Sequence, residues 1–145
     1  MSHFIVHLLL LSLISSVLAM GSVAQEQPAW QAWESKQFEK AKQTGALVLL
    51  HVKAQWCAAC AKMEANGLSD PRVVELLRQR YLAVRADFDQ ETELMRRYAI
   101  HGVPAVLIFD SAGQELIRRS GYLEPDWLYW LLLAVADDPR PEAHQ

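Results

Sequence analysis

The chain has two cysteines and no others, and they stand two residues apart in Trp56-Cys57-Ala58-Ala59-Cys60. They fall where a β-type run, Leu47-Val48-Leu49-Leu50-His51-Val52, gives way to a helical one. A thiol pair at a helix start, with no third cysteine to pair with, suits the making and breaking of disulfides. The thiolate is the nucleophile, and an ordinary thiol with a pKa of about 8.5 is mostly protonated at neutral pH. At a helix start the first sulfur meets unpaired backbone N–H groups and the positive end of the helix dipole, which favour ionisation. Cys57 is therefore the candidate nucleophile. Cys60 lies about one turn further in, on the same face and less exposed, so it can attack a mixed disulfide formed at Cys57.

Other uses of this spacing fit less well. Attachment of a c-type haem needs His directly after the second cysteine, and here that residue is Ala61. A zinc site needs two further ligands, and His51 and His101, the candidates in the folded region, are not at motif spacing. A purely structural disulfide is the remaining alternative, although a bridge closing so short a loop restricts the unfolded chain little. No metal is expected, and no cofactor besides the Cys57–Cys60 dithiol itself, because no nicotinamide or flavin motif is present.

A length of 145 residues is one domain's worth, and 52% hydrophobic with 21% charged residues is ordinary for a globular fold. The formal net charge of −3 argues against nucleic acid as a partner, since no basic face is available to neutralise phosphates. Residues 4–18 are almost wholly apolar, and no Asp, Glu, Lys or Arg precedes Glu26. Val17-Leu18-Ala19 and Ser22-Val23-Ala24 both fit a small-x-Ala cleavage site. Residues 1–24 thus read as a secretory signal peptide cut after Ala24, giving a periplasmic or otherwise exported protein. The amino-terminal region lacks Lys and Arg, so an uncleaved membrane anchor over residues 4–20 is the alternative.

Residues 25–138 read as one folded domain and residues 139–145 as a flexible tail. Amphipathic spacing predicts a helix over residues 30–43. Residues 46–52 form a buried strand, and a helix runs from Cys57 to about Asn66. Ser69-Asp70-Pro71 restarts the helix with a capping side chain and a proline at the first helical position. Further strands are expected at residues 81–88, 105–109 and 115–119, with a helix at 90–98 and a turn at 110–113. The last helix, residues 126–136, is apolar nearly all round and too short to cross a bilayer. It packs on the sheet with apolar surface to spare, and that spare face could meet a partner or a second copy. The fold class is α/β: a central four-stranded mixed sheet flanked by helices on both faces.

Gly102-Val103-Pro104 precedes the third strand, and a proline there, beside a redox site, is a candidate cis bond. Such a turn would offer the backbone of Val103 to a substrate peptide by strand addition. The ordinary alternative is a trans proline at a strand edge.

With Trp-Cys-x-x-Cys, Tyr98-Ala99-Ile100-His101-Gly102-Val103-Pro104 and Gly121, the chain resembles the thioredoxin family over roughly residues 30–136. Ala54-Gln55-Trp56, Met63-Glu64 and Ser69-Asp70-Pro71 make it most similar to the C-terminal periplasmic domain of the membrane electron transporter DsbD. The resemblance implies a thioredoxin fold in which Cys57 attacks, Cys60 resolves, Trp56 flanks the site and Pro104 is a cis-proline touching substrate. It implies protein disulfides as substrates and a membrane thiol carrier as electron donor.

Two positions depart from the family pattern. The family often has a buried carboxylate six residues before the first cysteine, and here that position is His51. A histidine could relay protons in its place, since its ordinary pKa lies near neutrality. It could equally be a core residue, because burial favours neutral imidazole. The basic residue after the second cysteine is also displaced, to Lys62. Ala58-Ala59 matches neither the Gly-Pro of reducing thioredoxins nor the Pro-His of the strong oxidant; the DsbD likeness favours a protein-disulfide reductase. An oxidase or isomerase of the same fold, or a binding module without catalysis, are the alternatives.

Overall fold

The structure is a computed structural model and describes residues 27–144. The signal-peptide reading of residues 1–24, and its anchor alternative over residues 4–20, lie outside the described residues.

Trp30 and Trp33, read above as the start of one helix, belong to no helix at all. Side chains three residues apart share a helix face but point to opposite sides of a strand. Trp30 packs on one layer of the core and Trp33 on the other. Between them Gln31–Ala32 forms a two-residue strand, β1. The helix expected over residues 30–43 is accordingly shorter: α1 is Gln37–Thr44.

β2 (Leu47–Lys53) is the middle strand, and its interior residues are buried on both faces. It leads into α2 (Ala58–Asn66), and α3 (Pro71–Arg80) follows after Asp70 caps it by accepting from the Arg72 N–H. β3 (Tyr81–Asp87), α4 (Thr92–Arg97), β4 (Ala105–Phe109), β5 (Glu115–Ser120) and α5 (Pro125–Asp137) complete the fold. Pro141–His144, within the expected flexible tail, makes one 3-10 turn.

The sheet has five strands in the order β1-β3-β2-β4-β5, one more than the sequence predicts. The β2-α2-α3-β3 crossover makes β2 and β3 parallel, and the tight turn between β4 and β5 makes that pair antiparallel. β1 adds to the outer side of β3 in parallel, opposite Val84 and Arg85. Being only two residues long, it leaves no strand signal in the sequence.

Helices α2, α3 and α5 cover one face, where Leu49, Met63, Leu77, Ile108, Leu128 and Leu132 are buried together. Helices α1 and α4 cover the other, over Val48, Leu50, Leu107 and Phe109. Each such side chain contributes about 1.5–3 kcal/mol by leaving water. The end of α2 sits tight on α5: a Cβ on Gly67 would lie 3.2 Å from a Leu128 methyl. The Tyr81 hydroxyl ties β3 to α5 by donating to Leu132 O at 2.6 Å.

Candidate active site

The cysteines lie where β2 hands over to α2. Cys57 N–H donates to Ala54 O at 3.2 Å, closing the turn that places Cys57 as the N-cap of α2. Cys57 and Cys60 are joined by a disulfide, with Cα atoms 5.2 Å apart. Cys57 Sγ accepts the Cys60 backbone N–H at 3.1 Å, and no acidic residue stands in the first turn. The leading sulfur thus occupies the position of a capping oxygen, where negative charge is stabilised. Cys57 keeps 7% of its surface exposed and Cys60 1%, so an incoming disulfide meets Cys57 first.

The antiparallel β2–β4 pairing sets Val52 opposite Ala105, which brings the Val103-Pro104 turn beside the cysteines. The Val103-Pro104 bond is cis. Val103, Phe88 and Ala54 pack with the two cysteines in one small cluster. Pro104 O accepts the Gly121 N–H at 2.8 Å, and Gly121 has a φ of 90°, a left-handed conformation that suits glycine. Trp56 is 67% exposed, and its indole Nε1 donates to Asp89 Oδ2 at 2.7 Å. Asp89 is itself held by a turn in which Asp87 Oδ1 accepts the N–H groups of Asp89 and Gln90. His101, three residues before Pro104, is exposed.

Behind α2 lies a compartment of buried polar groups. His51 is fully buried in β2, with Glu64 Oε1 of α2 3.8 Å from its Nδ1 and the Trp30 ring 5.8 Å away. Glu64 also meets Lys53 Nζ and Arg85 Nε, each at 3.1 Å. The Arg85–Glu64 contact is an ion pair without hydrogen-bond alignment, since both atoms lack a hydrogen-bond partner among the described residues. Both ring nitrogens of His51 are likewise unpartnered. Burial, and then the charges of Arg85 and Lys53, push the His51 pKa down to about 3, so its imidazole is neutral at pH 7. A cavity of about 360 Å³ lined by Trp30, Trp33, Lys53, Arg85 and Glu91 adjoins this compartment.

Cys57, Cys60, Val103 and Pro104 therefore come together as the sequence suggests, and Trp56 stands at their edge. His51 lies a layer deeper, against Glu64. Three residues of the site escaped the sequence reading: Phe88, Asp89 and Glu64. Glu64 had a usable signal, since it follows Cys60 by one helical turn and so shares its sheet-facing side. Asp89 had none, being 33 residues from the tryptophan it holds.

Comparison with known proteins fits this geometry. Among curated proteins, the chain is 37% identical over 89 residues to the thiol:disulfide interchange protein DsbD of Salmonella typhi, covering 58% of this chain and 16% of that one. To DsbD of Escherichia coli K12 it is 33% identical over 87 residues, covering 57% and 15%. The chain thus spans about a sixth of the length of these relatives. Among solved structures, a thioredoxin from Thermus thermophilus superposes with a TM-score of 0.68 at 25% identity, over 76% of this chain and 88% of that one. The DsbD C-terminal domain of Neisseria meningitidis superposes in its fold with a TM-score of 0.58 at 22% identity, over 67% and 88%. A family model described as a thioredoxin-like domain matches residues 34–136. That match takes in both cysteines, the cis-proline turn and the whole of the sheet beyond β1, so the chain belongs to the thioredoxin-like domain family and carries the fold and dithiol of a thiol:disulfide oxidoreductase.

Proposed function

We propose that this protein is an exported reductase of protein disulfides. The observation that carries the proposal is the placing of Cys57 Sγ as the cap of α2, with Cys60 buried one turn behind it. In the reduced protein, the Cys57 thiolate attacks one sulfur of a substrate disulfide. The substrate's other sulfur leaves as a thiolate and takes a proton, and a mixed disulfide joins Cys57 to the substrate. Cys60, deprotonated, then attacks Cys57 Sγ and releases the second substrate thiolate. The substrate gains two electrons and the pair becomes the Cys57–Cys60 disulfide. Trp56, Val103 and Pro104 form the surface against which the substrate chain lies.

The proton of Cys60 needs an acceptor. His51 is badly suited, because a group with a pKa of about 3 holds a proton weakly. Glu64 lies one turn from Cys60 on the same face of α2, and its side chain is 22% exposed. It is the other candidate by position, its carboxylate held by Lys53 and Arg85.

Reduction of the disulfide for the next cycle needs a thiol donor, and a membrane thiol carrier suits an exported protein. The relatives, named as thiol:disulfide interchange proteins, support the exchange chemistry, the resemblance of the motifs favours reduction and a membrane thiol donor, and the apolar segment of residues 4–18 supports export. The dithiol is the only redox group the cycle requires. Replacing Cys57 with Ser is expected to reduce insulin-disulfide cleavage to the uncatalysed rate; undiminished cleavage would refute the proposal. Equilibration of the pair with glutathione separates reductase from oxidase, a reductase lying towards the −270 mV end of a range of about −270 to −120 mV.

A further inference from the structure

Helix α5 has two apolar stripes, although one suffices to hold it on the sheet. Leu128, Leu132 and Val135 are fully buried in the core. On the other side Trp127, Trp130 and Ala134, at positions i, i+3 and i+7, face solvent. Trp127 is 49% and Trp130 61% exposed; with Trp56 they are the large hydrophobic residues left exposed among the described residues. A helix on the rim of a domain ordinarily presents charged or polar side chains there. Tryptophan combines the largest apolar area with few rotatable bonds, which suits it to anchoring a partner.

This stripe begins at the end of the molecule that holds the cysteines. Gly121, bonded to Pro104 O, is followed by Tyr122, whose ring lies 4.2 Å beneath the Lys62 ammonium of α2. Trp127 is in the first turn of α5, 5.6 Å from the Arg119 guanidinium, and Arg119 adjoins Ser120, the register partner of Ala105. A path therefore runs from the half-buried Val103, beside Pro104, over the half-buried Tyr122 to the exposed Trp127, and Trp130 lies about 4.5 Å further along the helix axis. Trp56, held from the β3 side of the sheet, stands on the opposite flank of Cys57.

We propose that Trp127 and Trp130 are a docking surface for polypeptide substrates: an extended segment engaged at Cys57 lays apolar side chains, a few residues from its own cysteine, on the outer stripe of α5. This rests on the exchange chemistry proposed above and adds the substrate class, an unfolded apolar segment rather than a small disulfide. Continuity with the cysteine surface argues for that occupant, because a chain extending about 3.3–3.6 Å per residue crosses from Pro104 to α5 in a short stretch.

The test compares two substrates of the reduced full chain. In the W127A/W130A variant the second-order rate constant for insulin is expected to fall about tenfold, the loss of one good anchor. The rate with 5,5′-dithiobis(2-nitrobenzoate), too small to reach α5 from Cys57, reports the thiols and the fold and is expected to stay within about twofold. Should both rates fall together, Ala134→Lys decides, since it leaves the rings in place and puts a charge in the stripe: a slower insulin reaction alone supports the proposal. An unchanged insulin rate in either folded variant overturns it. So does a wild-type dimer that the double variant dissolves, or phosphatidylcholine vesicle binding that the double variant loses, since either gives the stripe another occupant. If Cys57→Ser is inactive while W127A/W130A is fully active on insulin, the docking surface falls and the exchange chemistry stands.

Discussion

The two layers that flank the sheet are built on different terms. Under α1 and α4 the core is apolar and aromatic: Trp33, Phe38, Tyr98 and Phe109 meet edge to face with centroids 5.1 to 6.1 Å apart. Under α2, α3 and α5 the core is apolar too, except behind the cysteine-bearing helix. There the buried polar atoms of Trp30, His51, Glu64 and Arg85 lack hydrogen-bond partners. A buried unpartnered polar group costs about 1–3 kcal/mol. The first layer holds the fold; the second gives up some stability behind the helix that carries Cys60. Packing and chemistry can thus be perturbed separately.

The largest effect belongs to the aromatic layer. Phe109→Ala is expected to lower stability by about 3–5 kcal/mol in urea unfolding, with the thiol reactivity of the folded fraction unchanged. If reactivity fell in parallel, the two layers would not be separable. Glu64→Gln tests the other side: resolution of a mixed disulfide at pH 7, followed in a single turnover, should slow roughly a hundredfold. Stopped-flow rates equal to wild type would remove Glu64 from proton handling.

His51 gives a pH signature. Its folded pKa of about 3 lies below the ordinary 6.5, so between those values the unfolded chain binds a proton that the folded one does not. Stability from this group is full above about pH 6.5 and falls as pH drops towards 3, by roughly 1.4 kcal/mol per pH unit. In His51→Leu that component should vanish, so the difference between variant and wild type should grow in the variant's favour from pH 7 to pH 4.5. A constant difference would mean that His51 is not held neutral. The smallest effect is at the rim: Asp89→Ala, which frees Trp56, should slow insulin reduction about threefold, on the scale of one exposed hydrogen bond. Asp89→Asn, still able to accept from the indole, should restore it.

What could be read from the chain beforehand was whatever depends on near neighbours. The cysteine pair at a helix start, the capping Asp70 before Pro71 and the β4–β5 turn each have their determinants within a few residues. The features that escaped are those made by residues distant in sequence. β1 forms because Gln31 and Ala32 find the open edge of β3, more than fifty residues away. The spacing of Trp30 and Trp33 imitated a helix because three residues is also one helical turn. Asp89 reaches Trp56 only after β3 has been laid beside β2. His51 could be placed in a buried strand from its apolar neighbours, and burial is the first cause of its neutrality; the added push from Arg85 could not be read, because only the register of β2 with β3 sets Arg85 against it.

β1 matters beyond the count of strands. A parallel strand on the rim of a sheet offers unpaired backbone groups to any extended chain that meets it. Gln31–Ala32 occupies the middle of that rim at Val84 and Arg85. Two residues there are enough to deny an extended chain the full length of β3 to pair with.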